Sequence, residues 1–322
     1  MTTILVTGGA GYVGSHTCKV LANAGYTPVC YDNLSTGHAS SVKWGPLVLG
    51  DINDKMALEK VIKTYQPVAA FHFAASAIVT ESILNPALYY RNNVLGTLTL
   101  IETMCALGLK NLIFSSTCAT YGNAKQLPMT EDHPQVPTTP YGKTKWIAEQ
   151  MMIDFDRSHE LKTVKLRYFN AAGADFEGEL GEKHNPETHL IPSVIQAALG
   201  QKKEIVVYGA DFLTPDGSAV RDYIHVDDLA QAHVKALQHL LETKQSHTFN
   251  LGCGRGYSVF EIIKAVEKIS GQKIEQRIEK KREGEPAMLT ADSTKAKNEL
   301  GWMPQHSFEA IISSAYNWHK TL

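Results

Sequence analysis

Three glycines that follow the first apolar segment restrict the fold more than any other feature of the chain. Ile4-Leu5-Val6 is a short β-rich run that leads into Gly8, Gly11 and Gly14, and a predicted helix from Ser15 to Ala24 follows. Glycines at these positions let the backbone turn tightly, approach a pyrophosphate and pack the helix on the strand. The helix N-terminus then faces the phosphates. The order of strand, glycine turn and helix predicts a dinucleotide-binding βαβ unit.

The second predicted strand, from Thr27 to Tyr31, ends at an acidic residue. Asp32 lies 18 residues after Gly14, where a carboxylate is expected to bind the ribose 2′-hydroxyl of a dinucleotide. The carboxylate would repel a 2′-phosphate and no arginine adjoins it, so NAD is favoured over NADP. The alternative is that Asp32 is only a helix cap or a turn residue beside Asn33.

Strands and helices continue to alternate along the first half of the chain. This pattern predicts an α/β fold with a Rossmann-type doubly wound parallel sheet. The predicted elements after Asp32 are a strand at 46–49, a helix at 54–65, an apolar run at 68–75, a single long helix at 86–107, a strand at 111–116, a helix at 141–158 and a strand at 163–169. The alternation then becomes irregular. We therefore expect an NAD-binding domain at 1–169, which 225–252 rejoins, and a smaller α/β substrate-binding domain at 170–322.

A tyrosine and a lysine on the 141–158 helix form a candidate acid/base pair. Tyr141 and Lys145 are four residues apart and project from one helix face. A lysine cation about 4 Å from the phenol is worth roughly 4 kcal/mol at an effective dielectric constant near 20, which would bring tyrosine towards ionisation at neutral pH. Thr117 lies at the carboxyl end of the preceding strand, where open α/β sheets bind ligands. An exposed helix face on which Tyr141 and Lys145 never meet is the alternative.

Composition excludes several classes of function. The net charge of −2 and the pI near 6.7 provide no basic surplus for nucleic acid. None of the apolar runs reaches the length of a membrane span, so no membrane association is expected. The five cysteines contain no C-x-x-C pair and are typical of reduced residues in a cytoplasmic protein. The 13 histidines show no H-E-x-x-H or comparable ligand spacing, so no metal is expected.

Taken together, the glycine loop, Asp32, Thr117 and the Tyr-x-x-x-Lys pair resemble an extended short-chain dehydrogenase/reductase. Within that superfamily the chain resembles the UDP-galactose 4-epimerases along nearly its whole length. The stretches that carry the resemblance are Gly11 to Thr17, Leu166 to Asn170, Arg221 to Val226, Asn250 to Gly252 and Arg282 to Gly284.

The resemblance implies a set of site residues. Thr117, Tyr141 and Lys145 would be catalytic. The residues implied around NAD are Gly8, Gly11, Tyr12, Val13, Gly14, Asp32, Asn33, Asp51, Ile52, Phe73, Ala74, Asn92, Tyr141, Lys145 and Tyr168. Those implied for a UDP-sugar in a nucleotide-sugar-binding domain are Thr117, Asn170, Leu190, Tyr208, Arg221, Arg282, Glu285 and Leu289. The resemblance also implies a homodimer that pairs the 86–107 helix with the Tyr141 helix across a two-fold axis.

The implied activity is a 4-epimerase that interconverts UDP-glucose and UDP-galactose through a transient 4-keto intermediate with tightly bound NAD. A UDP-N-acetylhexosamine or a UDP-pentose is an alternative substrate, and Leu289 falls where members of the family differ between tyrosine and smaller residues. A nucleotide-sugar dehydratase is disfavoured because Cys118 and Ala119 stand where dehydratases typically have an Asp-Glu pair. A scaffold that merely binds NAD would not need Thr117, Tyr141 and Lys145 together.

Overall fold

A seven-stranded parallel sheet forms the centre of the molecule, in a computed structural model that describes residues 2–282 and 285–322. The strand order is β10-β6-β5-β4-β1-β2-β3. Taken from the opposite edge, β3-β2-β1-β4-β5-β6 is the strand order of a doubly wound dinucleotide-binding sheet. The predicted fold class is confirmed. The strands are β1 (Thr2–Thr7), β2 (Tyr26–Asp32), β3 (Leu47–Leu49), β4 (Ala69–His72), β5 (Asn111–Thr117), β6 (Lys162–Tyr168) and β10 (His247–Leu251).

Helices cover both faces of this sheet because successive strand residues point to opposite sides. Ile4 and Val6 of β1 join one apolar cluster, and Leu5 joins the other. The first face carries α1 (Tyr12–Asn23), α8 (Val226–Thr243) and α10 (Thr294–Leu300). The opposite face carries α2 (Lys55–Tyr65), α5 (Gly96–Ala106) and α6 (Pro140–His159).

A third apolar core lies outside the large sheet. It is built from α7 (Leu190–Ala198), α9 (Val259–Ser270) and α11 (Phe308–His319). Beside it are a four-stranded sheet of β7 (Asn170–Ala172), β9 (Val220–His225), β11 (Gly256–Ser258) and β13 (Met288–Leu289), and a two-stranded sheet of β8 (Ile205–Tyr208) and β12 (Gln276–Glu279). β10 pairs with β6 in the large sheet. The division of the chain at residue 169 stays a prediction.

The helix predicted over 86–107 is interrupted, so that prediction was wrong in detail. After α3 (Val79–Leu84), the chain forms α4 (Pro86–Tyr89), a π-helical segment over Tyr90–Leu95, and then α5. No residue type encodes a π turn, and the apolar pattern alone could not reveal it. Single π turns often occur at functional sites. Here the turn contains Asn93, whose side chain accepts from the Ser76 amide at 2.8 Å and donates to the Thr144 hydroxyl at 3.1 Å.

The first helix begins earlier than predicted: α1 begins at Tyr12 rather than at Ser15, directly after Gly11. α8 begins at Val226, where the ring of His225 accepts a hydrogen bond from the backbone amide of Asp227. Throughout the described residues, we find no helix with both the length and the apolar character that crossing a membrane requires.

Candidate active site

The glycine loop between β1 and α1 leaves no room for side chains. Gly8 has a φ of +74°, and a Cβ atom at this position would stand 2.4 Å from the backbone nitrogen of Ala74. A Cβ atom on Gly14 would stand 2.2 Å from the carbonyl oxygen of Gly8. Gly11 completes the turn by donating its backbone N–H to that same oxygen at 3.2 Å. The loop therefore requires glycine at Gly8 and Gly14, as a backbone that must approach a pyrophosphate does.

The N-terminus of α1 follows this loop and has no side-chain cap. Gly11 provides no side-chain hydrogen bond, and the first turn contains no acidic residue. The backbone amides of Tyr12 and Val13 therefore belong to a helix end that suits an anion. The Tyr12 hydroxyl donates to the carbonyl of Gly173 at 2.6 Å, which fixes this end of the helix. Loop and helix together fit the diphosphate of a dinucleotide.

Asp32, Asn33 and Asp51 stand together at the carboxyl ends of β2 and β3. The Asp32 carboxylate accepts from the amides of Ala10 at 3.0 Å and Leu34 at 2.8 Å. The side-chain amide of Asn33 donates to the Asp51 carboxylate at 2.9 Å. Asp32 thus has the turn contacts that the alternative interpretation required, and it also lies directly beside the glycine loop. Both observations suit a carboxylate held in place for a ribose.

The remaining predicted cofactor residues lie near the same edge of the sheet. The amides of Phe73 and Ala74, just after β4, both donate to the carbonyl of Thr7, at 2.9 and 3.1 Å, which draws the chain up to Gly8. Asn92 lies in the π-helical segment and donates to the Ser76 hydroxyl at 3.3 Å. The other two are the buried Ile52, which follows β3, and Tyr168, the last residue of β6.

Thr117 and the side chains of Tyr141 and Lys145 lie at the carboxyl end of β5. Thr117 is the last residue of the strand. The Tyr141 phenol lies near the Thr117 side chain. The ammonium of Lys145 donates to the carbonyl of Ser115 at 2.8 Å, and its side chain is buried. The exposed helix face left open by the sequence is therefore not what the structure contains.

Local sequence explains how α6 approaches this strand end so closely. Thr139 caps the helix by accepting from the amide of Gly142 at 3.2 Å, and Pro140 occupies the first turn, which needs no N–H there. A Cβ atom on Gly142 would stand 2.4 Å from the carbonyl oxygen of Ala119. Glycine at this position lets the first turn of α6 lie against the loop after β5. Tyr141 is thereby brought to Thr117.

Burial opposes ionisation of both members of the pair. Burial raises the pKa of Tyr141, the neighbouring Tyr168 adds to the rise, and the Thr117 side chain offsets only part of it. Burial lowers the pKa of Lys145 to about 7. The sequence pattern predicted that Lys145 would bring the pKa of Tyr141 down, but the polypeptide by itself keeps that pKa above its ordinary value. The ammonium of Lys145 is held by the Ser115 carbonyl in a buried place where its own charge is destabilised.

A buried ion pair lies directly behind the end of β5. Glu149, one helical turn after Lys145, accepts from the guanidinium of Arg167 at 3.0 and 2.5 Å and from the Ser116 hydroxyl at 2.5 Å. Gln135 donates to the second carboxylate oxygen at 2.9 Å. Burial alone would raise the pKa of Glu149, but hydrogen bonds from Arg167 lower it overall, so the pair is ionised.

The predicted UDP-sugar residues form two groups and two separate positions. Arg221 donates to Glu285 at 3.1 Å, and Leu289 lies opposite Arg221 in the β9–β13 register. Arg282 stacks on the ring of Tyr208 with 4.0 Å between the guanidinium carbon and the ring centroid. Asn170 donates to the Asp222 carbonyl at 2.9 Å, and Leu190 is the first residue of α7. Glu283 and Gly284, which belong to a matching stretch, lie outside the described residues.

Arg221 also lies near Cys118, at the end of β5. Burial raises the pKa of Cys118, the residue after Thr117, to about 12, and the nearby charge of Arg221 offsets part of the rise. The thiol is therefore neutral at physiological pH. It supplies neither the acid nor the base that an elimination reaction needs.

Sequence reasoning did not assign roles to Ser115, Glu149 or Arg167. Ser115 positions Lys145 through its carbonyl group, which no side-chain pattern can reveal. The same residue's hydroxyl lies 2.5 Å from the Tyr168 hydroxyl. Glu149 was accessible in principle, because it lies four residues after Lys145 on the same helix and is the one carboxylate that faces inward there.

Comparisons with known proteins agree with this geometry. The family model described as "NAD dependent epimerase/dehydratase family" matches residues 4–252. The UDP-glucose 4-epimerase of Rhizobium meliloti (strain 1021) is 52% identical over 316 residues, which cover 98% of this chain and 96% of that protein. The crystal structure of UDP-glucose 4-epimerase from Brucella ovis in complex with NAD superposes with a TM-score of 0.97 at 50% identity and covers 99% of both chains.

A further relative has both cofactor and nucleotide bound. The structure of UDP-glucose 4-epimerase from Bifidobacterium longum in complex with NAD+ and UDP has a TM-score of 0.95 and 39% identity, and covers 99% of this chain and 98% of that one. The family model covers more than half of the chain, and these relatives extend over nearly all of it. The chain belongs to the NAD dependent epimerase/dehydratase family, among the relatives of the UDP-glucose 4-epimerases.

Proposed function

We propose that the protein is an NAD-dependent UDP-glucose 4-epimerase, which interconverts UDP-glucose and UDP-galactose through a transient 4-keto sugar. The observation that carries the proposal is the convergence of Thr117, Tyr141 and buried Lys145 at one strand end. The glycine loop lies at the carboxyl edge of the same parallel sheet. A redox cofactor and an acid/base group thus face one position, as inversion through a ketone requires.

Inversion at C4 of a hexose needs a planar intermediate, because the bonds to that carbon are not activated. When bound, NAD supplies the two-electron chemistry that converts the 4-hydroxyl to a ketone and back. Tyr141 accepts the hydroxyl proton during oxidation and returns it during reduction. Thr117 hydrogen-bonds the reacting oxygen. Because the polypeptide alone keeps the pKa of Tyr141 above its ordinary value, the ammonium of Lys145 would stabilise the phenolate together with the positive charge of bound NAD. Thr117, Tyr141 and Lys145 are therefore the proposed catalytic residues.

The keto-sugar must turn over between the two half-reactions while its nucleotide stays bound. Arg221 and Arg282 are the proposed diphosphate contacts, because guanidinium offers bidentate donors and keeps its charge. Glu285, which accepts from Arg221 at 3.1 Å, would hold that side chain in position or give way to a sugar hydroxyl. Asn170, Leu190, Tyr208 and Leu289 complete the proposed nucleotide-sugar site.

Leu289 bears on the identity of the sugar. Leucine is shorter than the tyrosine found in some family members, so an N-acetyl group would find more space beside β13. UDP-N-acetylhexosamines and UDP-pentoses are therefore alternative substrates. A dehydratase is disfavoured by the neutral thiol of Cys118 and the methyl group of Ala119.

The decisive experiment is to incubate the purified protein with UDP-glucose, UDP-galactose, UDP-N-acetylglucosamine and UDP-xylose, and to separate the products by chromatography. We expect UDP-glucose and UDP-galactose to equilibrate without added cofactor. NAD should be released when the protein is denatured, because a cofactor regenerated within each turnover has no need to exchange. Elimination of water, or turnover only with added NADP, would contradict the proposal.

We also propose a homodimer, cytoplasmic location and a division into two units. Large apolar side chains are exposed on the 86–107 segment that is expected to pair across the two-fold axis, among them Leu88 and Leu95 at 39 and 50% exposure. Ile83 and Leu84, at 59 and 86% exposure, extend this surface onto the preceding helix α3. Sedimentation equilibrium should give twice 35.4 kDa, and Leu84→Glu should shift the mass towards the monomer.

All five cysteines are free thiols, which suits a reducing compartment. The proposed units are 1–169 with 225–252 and the remainder of 170–322.

A further inference from the structure

Two histidines and two glutamates converge in the segment that precedes α7. They are Glu182, His184, Glu187 and His189, and their ligand atoms all lie within 4.8 Å of one another. A Glu182 oxygen is 3.3 Å from Nδ1 of His184 and 2.5 Å from Nδ1 of His189. The oxygens of Glu187 are 3.7 Å from Nδ1 of His184 and 3.6 Å from Nδ1 of His189. The cluster takes no part in the chemistry proposed above.

Three of these four separations are close to the edges of a metal coordination tetrahedron. Bonds of about 2.0–2.1 Å from Zn²⁺ to imidazole nitrogen or carboxylate oxygen place the ligand atoms roughly 3.4 Å apart. The separations of 3.3, 3.6 and 3.7 Å lie close to that value. The fourth, 2.5 Å between Glu182 and Nδ1 of His189, is a direct hydrogen bond, so these two atoms would have to move apart to bind one ion.

The carboxylates are buried and only partly satisfied. The side chains of Glu182 and Glu187 are 5 and 3% exposed. One oxygen of Glu187 accepts the backbone amides of Thr188 and His189, each at 2.9 Å. Its other oxygen, and Nδ1 of His184, have no hydrogen-bond partner. The unpartnered Glu187 oxygen points into the cluster, 3.7 Å from Nδ1 of His184.

We propose that Glu182, His184, Glu187 and His189 bind a divalent transition-metal ion, for which Zn²⁺ is the best match. Two imidazoles and two carboxylates are typical zinc ligands, whereas Mg²⁺ and Ca²⁺ favour oxygen alone. Four protein ligands leave no open position for a substrate, so the ion is structural. No metal was expected from the sequence because it contains no H-E-x-x-H or comparable ligand spacing, whereas these ligands come from one loop of eight residues.

The position of the loop gives the ion a structural consequence. The backbone carbonyl of Glu182 accepts from the indole of Trp318 in α11 at 2.9 Å. The next carbonyl, that of Lys183, lies 3.0 Å from Nε2 of His38, in the segment that follows β2. His189 is the N-cap of α7. An ion at this position would fix the loop between α7, α11 and the segment beside the proposed adenosine-ribose site.

The test is metal binding by the full-length protein without a polyhistidine tag. Protein dialysed with Zn²⁺ and then freed of excess should contain about one zinc per chain by mass spectrometry of the metal. Co²⁺ should give the intense visible bands of tetrahedral coordination. Competition with a chromophoric chelator should show at least tenfold weaker binding in Glu187→Gln, which keeps the shape of the side chain, and in His184→Ala. Wild-type protein should unfold at a lower temperature after chelation.

A matched control comes from another histidine cluster. His239, His247 and Glu299 also lie within ligand distance of one another, so His247→Ala should leave zinc content and Co²⁺ spectrum unchanged. The proposal is wrong if wild-type protein retains no zinc, or if His247→Ala removes it while Glu187→Gln does not. If His184→Ala fails to fold by circular dichroism, the isosteric Glu187→Gln alone decides. The proposal is also wrong if Glu187→Gln loses zinc binding but keeps the tetrahedral Co²⁺ bands, because the bands would then arise from another site.

Discussion

Two regions of the molecule are built in opposite ways. One is the strand end that contains Thr117, Tyr141 and Lys145. The other is the proposed diphosphate site, which contains Tyr208, Arg221 and Arg282. Lys145 is buried, its ammonium is held by a backbone carbonyl, and a fully hydrogen-bonded ion pair lies behind it. Arg282 is exposed and is held mainly by stacking on Tyr208, whose strand β8 pairs only with the solvent-exposed β12.

Under the proposed function the two regions have different tasks. Proton transfer needs atoms fixed to within a fraction of an ångström, which a satisfied, buried network on a seven-stranded sheet provides. Holding a diphosphate while the sugar turns over needs charge and reach, and long arginine side chains provide both. The comparison predicts that substitutions in the first region reduce turnover or stability strongly, whereas those in the second change mainly substrate affinity.

The largest effect is expected from Tyr141→Phe, which deletes one oxygen and leaves ring packing intact. Turnover should fall by about 10²–10⁴-fold or more, while the Kd for a UDP-sugar stays within a few-fold of wild type. Tyr89→Phe is the control, because its ring packs edge-on against Tyr141 at 6.4 Å and its hydroxyl donates only to Ile78 and Glu81. Epimerisation by Tyr141→Phe at near wild-type rate would place the base elsewhere.

Glu149→Gln should destabilise the fold most. It leaves the buried guanidinium of Arg167 without its counter-charge, which typically costs about 3–5 kcal/mol in the free energy of unfolding. Glu59→Gln removes a partner from the exposed Lys63–Glu59 pair and should cost less than about 0.5 kcal/mol. Urea denaturation of both variants measures the difference. Equal effects would show that the network behind β5 is not the rigid support described above.

Lys145→Met tests whether the buried lysine lowers the stability of the fold. Because the pKa of Lys145 is about 7 in the folded protein and near 10.5 when unfolded, the unfolded chain binds one more proton between these pH values. Wild-type stability therefore rises with pH in this window, by up to about 1.4 kcal/mol per unit. The variant lacks that slope, so its advantage should be greatest below pH 7 and vanish near pH 10. A pH-independent difference would contradict the buried, destabilised charge.

Arg282→Ala should act on binding. Loss of one charged contact to a diphosphate is worth about 1.5–3 kcal/mol, so the Kd for UDP-glucose should rise by roughly 10–100-fold. Turnover at saturation should stay within a few-fold. Lys281→Ala is the neighbouring control, because its ammonium contacts Asp211 instead. A fall in kcat without a change in Kd would mean that Arg282 belongs to the catalytic group.

Leu289→Tyr should have the smallest effect, and only on sugar selection. Added bulk beside β13 should reduce turnover of UDP-N-acetylglucosamine by about tenfold, whereas UDP-glucose turnover changes only a few-fold. Leu289→Ala should leave the ratio close to that of wild type. If neither variant changes the ratio of the two turnovers, Leu289 does not limit the size of the sugar.

The sequence predicted the large sheet well because local and long-range signals agree there. The glycine loop, the apolar run of β1 and the capping threonine of α6 each act over a few residues, and each is visible in the sequence. The short strands β7, β11 and β13 have two or three residues each, too few to show a periodicity. Each of them pairs with β9, so these strands depend on contacts between residues that are distant in the sequence.

The site was predicted less completely, for a related reason. Tyr141 and Lys145 could be found because helical spacing brings them together. The contact between Lys145 and the Ser115 carbonyl joins residues 30 apart through a backbone atom, and the burial that lowers the pKa of Lys145 depends on the whole sheet. Protonation states are collective properties of the fold, so a motif identifies the group but not its pKa.

The return of β10 to the edge of β6 affects how the chain is made. β6 ends at Tyr168, but its outer neighbour begins only at His247, with strands β7, β8 and β9 of the two smaller sheets in between. During synthesis, the backbone donors and acceptors along that edge of β6 stay unpaired until some 80 further residues have emerged. The nascent protein therefore passes through a stage with an open sheet edge, during which a second chain or a chaperone could occupy the place reserved for β10.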